Sequence, residues 1–322
     1  MAITYGNNTG VNALDVAFSI HADVDKQFYD VEYPDKEWYQ IVDKSQIKTD
    51  VNPGATTYSY ITRDRQGKAA FINNGGNNNI PMVAQTIGAV QVPVAYAAVG
   101  AEITQEDARQ YSFGMNGNLA EDLGETMREA MDNLLESTVV FGDKNLGFEG
   151  WINYTGVNTQ TASTGAAGQT TWSTKTAQEI VNDINTALAT VWTDSKNIFK
   201  PLDVFIPMKQ YAILAETPMV INGTGLAQTA LEYISKNNIM YRVTGQELRV
   251  HPSRYLEGAG TAGADRMVIM DRTEKNQVLP MPLPYSLSQP VPEALGAKWY
   301  AEAKFGSYHV RQAGSMLYVD GI

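Results

Sequence analysis

The sequence predicts an α+β fold, and three observations carry that expectation. Runs of β-branched and aromatic residues come first, then one helical pattern of unusual length, then strongly alternating segments near the C-terminus. Between the long helix and those last segments, helix and strand patterns alternate. With 322 residues, 43% of them hydrophobic, the chain can bury a sizeable core in one large domain or two ordinary ones.

Taken in order, residues 1–50 are polar and aromatic by turns. Phe28, Tyr29, Tyr33, Trp38 and Tyr39 show no helical or strand period, so a loosely packed arm is expected, pinned where its aromatics find a groove. From Ala55, "ATTYSYITRD" reads as a strand, "RQGK" as a turn and "AAFI" as the start of a return strand. "NNGGNNN" breaks regular structure, because Asn and Gly suit backbone at positive φ. A further strand is expected over "GAVQVPVAYAAVGAEI", with Pro93 marking an edge or a bulge.

Thr104 opens the strongest element, with Glu106 and Asp107 in its first turn and Gly142 as its stop. Ala108, Tyr111, Met115, Leu119, Leu123, Met127, Ala130, Leu134 and Thr138 step by three or four along one face. At ~1.5 Å per residue this helix would be roughly 57 Å long. Gly114, Gly117 and Gly124 weaken its continuity. After "GDKNLGFEGWINYTGV" and a Thr/Gly-rich loop, "TAQEIVNDINTALATVW", "MKQYAILAE" and "GLAQTALEYISKN" read as helices. "LDVFI", "MYRVTGQELRVH" and "RMVIMD" read as strands. The C-terminal strands are expected to close the sheet begun near residue 88, making the second region an insertion.

Chemistry is scarce. A net charge of −11 argues against nucleic-acid binding through the general surface, which needs a basic stripe. There is no cysteine, hence no disulfide, thiolate metal site or cysteine nucleophile. "MAITYGNNTGVN" lacks the pattern of a signal peptide, and Ala89–Ala101 is too short and interrupted to span a bilayer. A soluble, intracellular chain with no membrane partner is therefore expected. His21, His251 and His309 stand far apart, without ligand spacing. No nucleophile elbow, Walker loop or strand–GxGxxG–helix occurs. Glu121, Glu125 and Glu129 fall at i, i+4 spacing, but nothing nearby supplies a convergent ligand, so a solvated or intersubunit face is the expected reading. No catalytic, cofactor-binding or metal-ligating set follows, and no cofactor is expected.

The order of features resembles a known family. "ATTYSYITRDRQGKAAF" (55–71), "IPMVAQTIGAVQVPV" (80–94), "GDKNLGFEGWINYTGV" (142–157) and "AEAKFGSYHVRQAGSMLYV" (301–319) flank one very long helix. From about residue 40 onward, the chain is similar to the major capsid proteins of tailed phages, whose Hong Kong-type fold also occurs in encapsulins. The resemblance implies an N-terminal arm (1–50), an extended β-ribbon loop (51–85) and a peripheral domain (86–157 and 291–322) with a spine helix (104–141). It also implies an inserted α/β axial domain (158–290).

It further implies self-assembly through pentamers and hexamers into an icosahedral shell that encloses phage DNA without sequence-specific binding. A portal is implied, and a decoration protein is compatible with the resemblance. Because Met1 lies only about fifty residues before the loop, a separate scaffolding protein is expected. Arg63, Asp64, Arg65 and Lys68 would be intersubunit contacts of the loop, and Glu121, Asp122, Glu125 and Glu129 would be contacts of the spine helix. Some relatives cross-link a loop lysine to an asparagine near the C-terminus. Lys68 suits the first role, but no Asn follows Asn276, so a non-covalent shell is expected. Two other readings stand beside this one: an encapsulin-type protein compartment, and a carbohydrate- or peptide-binding surface protein.

Overall fold

The computed structural model describes residues 33–69, 71, 81–114, 119–221 and 224–322. Its described residues fall into two units. One is built from Ala98–Asp132 and Tyr285–Glu302, with the described residues up to Asp35. The other is built from Lys36–Ala97, Asn133–Pro284 and Ala303–Ile322.

Residues 1–32 of the expected arm lie outside the described residues, but 36–50 are tied to their own chain. They form a short helix, α1 (Trp38–Ile41), and a strand, β1 (Ile47–Lys48), with Trp38, Ile41 and Val42 buried. β1 pairs in parallel with β12 (Gln277–Pro280), and β12 pairs antiparallel with β16 (His309–Val310). The buried Glu37 carboxylate accepts from Ser253 Oγ at 2.6 Å and from the Arg254 amide at 3.0 Å. A loose arm is therefore corrected over this stretch: burial of Trp38 and Ile41 and the hydrogen bonds to Glu37 outweigh the missing periodicity.

β2 (Thr57–Gln66) pairs antiparallel with β3 (Ala84–Thr104), from Thr57↔Pro93 to Gln66↔Ala84, without a shift in register. The return strand thus begins at Ala84. "RQGK" is not a tight hairpin turn, and the described residues of "AAFI" are not strand; residues 70 and 72–80 lie outside the described residues. The strand expected over "GAVQVPVAYAAVGAEI" is present and reaches further back, as the 21-residue β3. β3 lies between β2 and β15 (Gly296–Gly306) in the order β13–β15–β3–β2, where β13 is Leu283–Leu287 and β14 (Val291–Glu293) also pairs with β15.

The long helical pattern appears as α2 (Gln105–Gly114) and α3 (Leu119–Val140), with 115–118 outside the described residues. Thr104 caps α2: its Oγ1 accepts from the Asp107 amide at 3.1 Å, and the Asp107 carboxylate accepts from the Thr104 amide at 3.2 Å. The buried face of α3 runs through Met127, Met131, Leu135 and Val139, in steps of four. Ala130 and Leu134, expected on that face, are exposed; a step of three after Met127 rotates the reading off the core side.

Gly142 follows α3 at φ +74°, the left-handed conformation that ends helices, and begins the small hairpin of β4 (Gly142–Asp143) and β5 (Phe148–Glu149). A Cβ on Gly142 would lie 2.3 Å from the Phe148 carbonyl oxygen, and one on Gly150 would lie 2.2 Å from that of Val140. Both glycines are needed for this close backbone approach. The hairpin delivers Trp151, fully buried, edge-on against Phe205.

The second region is organised by a five-stranded mixed sheet in the order β10–β7–β11–β17–β6. Its strands are β6 (Asn158–Thr161), β7 (Asp203–Pro207), β10 (Arg249–Ser253), β11 (Arg266–Met270) and β17 (Met316–Asp320). Helix α4 (Ala177–Asp194), started by a Thr176–Glu179 capping box, packs Ile180, Ile184 and Leu188 into the same core as Val204, Ile206, Ile269 and Val319. Helices α5 (Met208–Glu216), α6 (Ala230–Lys236) and α7 (Ile239–Thr244) complete the region, with a hairpin of β8 (Pro218–Ile221) and β9 (Thr224–Thr229).

Three expectations change here. "GLAQT" is strand β9, and the helix starts only after the Thr229 cap, whose side chain accepts from the Glu232 amide. "MYRVT" is helix α7, because Asn238 caps its start and Gly245, at φ +73°, ends it. The C-terminal strands divide among three sheets: β15 lies beside β3, β16 pairs with β12, and β17 pairs with β11 and β6. All five residues of β17 are buried, which suits an interior strand covered on both faces.

Candidate functional site

Beyond the body of its unit, no third strand pairs with the β2–β3 ribbon among the described residues. Gly306, the last residue of β15, lies against the Pro93 carbonyl, so the ladder from Val92 back to Ala84 is shared with β2 alone. Two isolated strands are marginal in water and gain from being covered. From Ile61 to Arg65 and from Ala84 to Ala89, the described side chains are exposed.

Register assigns the two faces. Directly opposed residues share a face, and neighbours along a strand alternate. Ile61↔Ala89, Arg63↔Ile87 and Arg65↔Gln85 therefore form one face. Thr62↔Gly88 and Asp64↔Thr86 form the other, continuous with Tyr60↔Val90 and Tyr58↔Val92. The first face joins two isoleucines, 73% and 61% exposed, to two guanidinium groups. At the end of the ladder Gly67 lets Val83 close in, since a Cβ there would lie 2.4 Å from Val83 Cγ1. Lys68 follows, exposed and past the strand. The structure thus brings Arg63 and Arg65 together, turns Asp64 to the opposite side and leaves Lys68 beyond the paired strands.

At the ribbon's base, the tyrosine face meets a polar cluster. His309 Nε2 lies 2.9 Å from the Tyr60 hydroxyl, and His309 Nδ1 lies 3.1 Å from the Tyr154 hydroxyl. The Arg311 guanidinium lies over the Tyr60 and Tyr58 rings, 5.1 and 5.8 Å from their centroids, and donates to the Tyr58 hydroxyl at 2.5 Å. Burial, then the nearby Arg311 cation, push His309 down to about 4. Burial pushes the Tyr154 hydroxyl up to about 12. The sequence shows only that His309 lacks ligand spacing to the other histidines, and it does not reveal this cluster, whose members come from distant parts of the chain.

The acidic residues expected to matter on the long helix are all on α3. Glu121, Asp122, Glu125 and Glu129 are exposed there, and the Asp122 carboxylate accepts from the Tyr111 hydroxyl. Among the described residues no group of three or more His, Cys, Asp or Glu could hold a metal ion. Among them, too, no helix is long and apolar enough to cross a membrane.

Comparison with known proteins places this architecture. No curated protein matched the sequence. Solved structures share the fold at low identity. The capsid of Myoviridae phage XM1 is 15% identical with a TM-score of 0.74, covering 94% of this chain and 97% of that chain. The capsid of the native GTA particle is 11% identical with a TM-score of 0.59, covering 99% of each. Mycobacterium phage Bobi gives 13% identity and a TM-score of 0.56, covering 96% of this chain and 98% of that chain. The family model described as "Major capsid protein" matches residues 67–322. With that match over most of its length and the capsid fold throughout, the chain belongs to the major capsid protein family, as a structural subunit that assembles with its own copies into a capsid shell.

Proposed function

We propose that this subunit builds an icosahedral phage shell through pentamers and hexamers, and that the β2–β3 ribbon is the arm by which each copy grips a neighbour. The ribbon's own composition carries the reading: it is exposed on both sides, with isoleucines and arginines gathered on one face. Apolar surface of that kind gains by being covered. On a chain of net charge −11, its cations are drawn to acidic surface on another copy. The face of α3 with Glu121, Asp122, Glu125 and Glu129 is proposed to receive Arg63, Arg65 and Lys68.

In this reading residues 51–85 are the extended loop, and 1–50 are the arm, anchored to its own subunit over 36–50. Residues 86–157 with β15 form the peripheral domain around the spine helix. Residues 158–290 form the axial domain, meeting its copies at the capsomer centre. Its boundary with the peripheral domain falls inside 291–322, since β17 joins the axial sheet. The shell encloses DNA without sequence-specific contacts, has no enzymatic role and assembles in the host cytoplasm. Its partners are a portal and a separate scaffolding protein, and its outer surface is open to a decoration protein.

The test is charge reversal. Arg63→Glu, Arg65→Glu and Lys68→Glu together should lower particle yield at least tenfold, as read by sedimentation. The subunit's unfolding midpoint should stay close to wild type, because exposed substitutions change stability by about 0.5 kcal/mol or less. Co-expression with a second copy carrying Glu121→Lys, Glu125→Lys and Glu129→Lys should restore assembly. Normal particles from the triple variant would contradict the proposed contact.

A further inference from the structure

The direction in which a two-stranded ribbon leaves its unit is set at its root. Outward of Val92, the paired residues of β2 and β3 have no further strand beside them among the described residues. At ~3.3 Å per residue, Gln66 lies roughly 26 Å from Tyr58 along β2. A tilt of about 10° at Tyr58 would carry that end by about 4–5 Å, enough to take a side chain out of hydrogen-bond range of a partner.

Strand alternation puts Tyr58 and Tyr60 on one face of β2, and both are tied to the body there. The Arg311 guanidinium lies over the two rings. One of its terminal nitrogens donates to the Tyr58 hydroxyl, and the other donates to the Glu274 carbonyl at 2.9 Å. His309 Nε2 holds the Tyr60 hydroxyl, while Nδ1 meets the Tyr154 hydroxyl, which donates to the Val310 carbonyl at 3.1 Å. The Tyr60 hydroxyl donates to a bare Nε2 and accepts from a protonated one, so this tie survives a change in the ring's protonation. The ties end on three stretches of chain: the linker after β5, the turn before β12, and β16 with the residue that follows it. None of these side chains belongs to the hydrophobic core around the five-stranded sheet.

We propose that Arg311 and His309 are positioning residues for assembly: they hold the tyrosine face of β2 to the body, fix the angle of the ribbon, and so set where it meets a neighbouring copy. An arm held at one angle finds the same spot on every neighbour. An arm free to swing loses binding free energy to being ordered, and it admits more than one geometry of contact. The consequence for the shell rests on the reading of the ribbon as an intersubunit arm, but the angle itself belongs to the single subunit and is measured there.

The chain has no cysteine, so spin labels can be placed at Thr86→Cys on the ribbon and Thr186→Cys on α4, both exposed positions. Double electron–electron resonance on dispersed subunits of the full chain then reads the spread of ribbon angles. The parent labelled chain should give one narrow distance distribution. Arg311→Met, and separately the double variant Tyr58→Phe with Tyr60→Phe, should widen it at least twofold, while the amides of β7 and β11 keep their protection against hydrogen exchange. Particles formed by Arg311→Met should vary in diameter where the wild type gives one size. A distribution as narrow as the parent's in both variants would overturn the positioning role, as would a parallel loss of protection in β7 and β11. A widened distribution with wild-type particles, in a chain whose triple charge variant fails to assemble, would overturn its consequence for the shell. Normal assembly of the triple charge variant would instead overturn the intersubunit reading and leave the measured angles standing.

Discussion

Arg266 and Asp320 meet on neighbouring strands with almost no exposure, joined by two contacts of 2.7 and 2.9 Å. The third guanidinium nitrogen donates to the Ile152 carbonyl, and the Tyr318 ring lies beneath the guanidinium. Burial alone would raise the Asp320 carboxyl. The Arg266 hydrogen bonds, with two donors from Thr261, outweigh it and hold the group below its ordinary 3.8. Asp320→Asn leaves a buried guanidinium without its countercharge, and should cost about 3–5 kcal/mol in chemical denaturation. The pair's contribution is complete above the ordinary carboxyl value and is lost as pH falls through the depressed one. A variant as stable as wild type at neutral pH would show that the pair is not load-sharing with the core.

Elements explain which parts of this fold could be read in advance. The Thr104 cap, the Gly142 stop and the capped helix α4 were legible because their signals lie within a few residues of each other. Sheet membership was not: β17 announces itself as a buried strand, but its neighbours β11 and β6 come from far earlier in the chain. "RQGK" suggested a turn because Gly67 is there, whereas Gly67 serves a close approach to Val83. Arg63 and Arg65 could be picked out locally, and their shared face follows from strand alternation. The His309 cluster could not, since its partners lie 249 and 155 residues away. The linker gives this scale its prediction. Gly142→Ala adds a Cβ where φ is positive and the Phe148 carbonyl is in the way, and should cost about 3 kcal/mol or more, read as a lowered unfolding midpoint.

At the scale of the molecule, labour is divided between a core and a ribbon. The five-stranded sheet and its helices bury a hydrophobic core of their own. Among the described residues the ribbon is two strands wide and exposed, and another copy is proposed to cover it. The acidic balance of the chain keeps like surfaces apart and leaves the cationic ribbon tip as a local exception. Cryo-electron microscopy of particles formed by the purified full chain tests this most directly. The account predicts closed shells in which the ribbon face bearing Ile61, Arg63 and Ile87 lies on a neighbouring subunit, with Arg63 and Arg65 near the acids of its α3. A stable monodisperse monomer, or shells whose ribbons project into solvent, would contradict it.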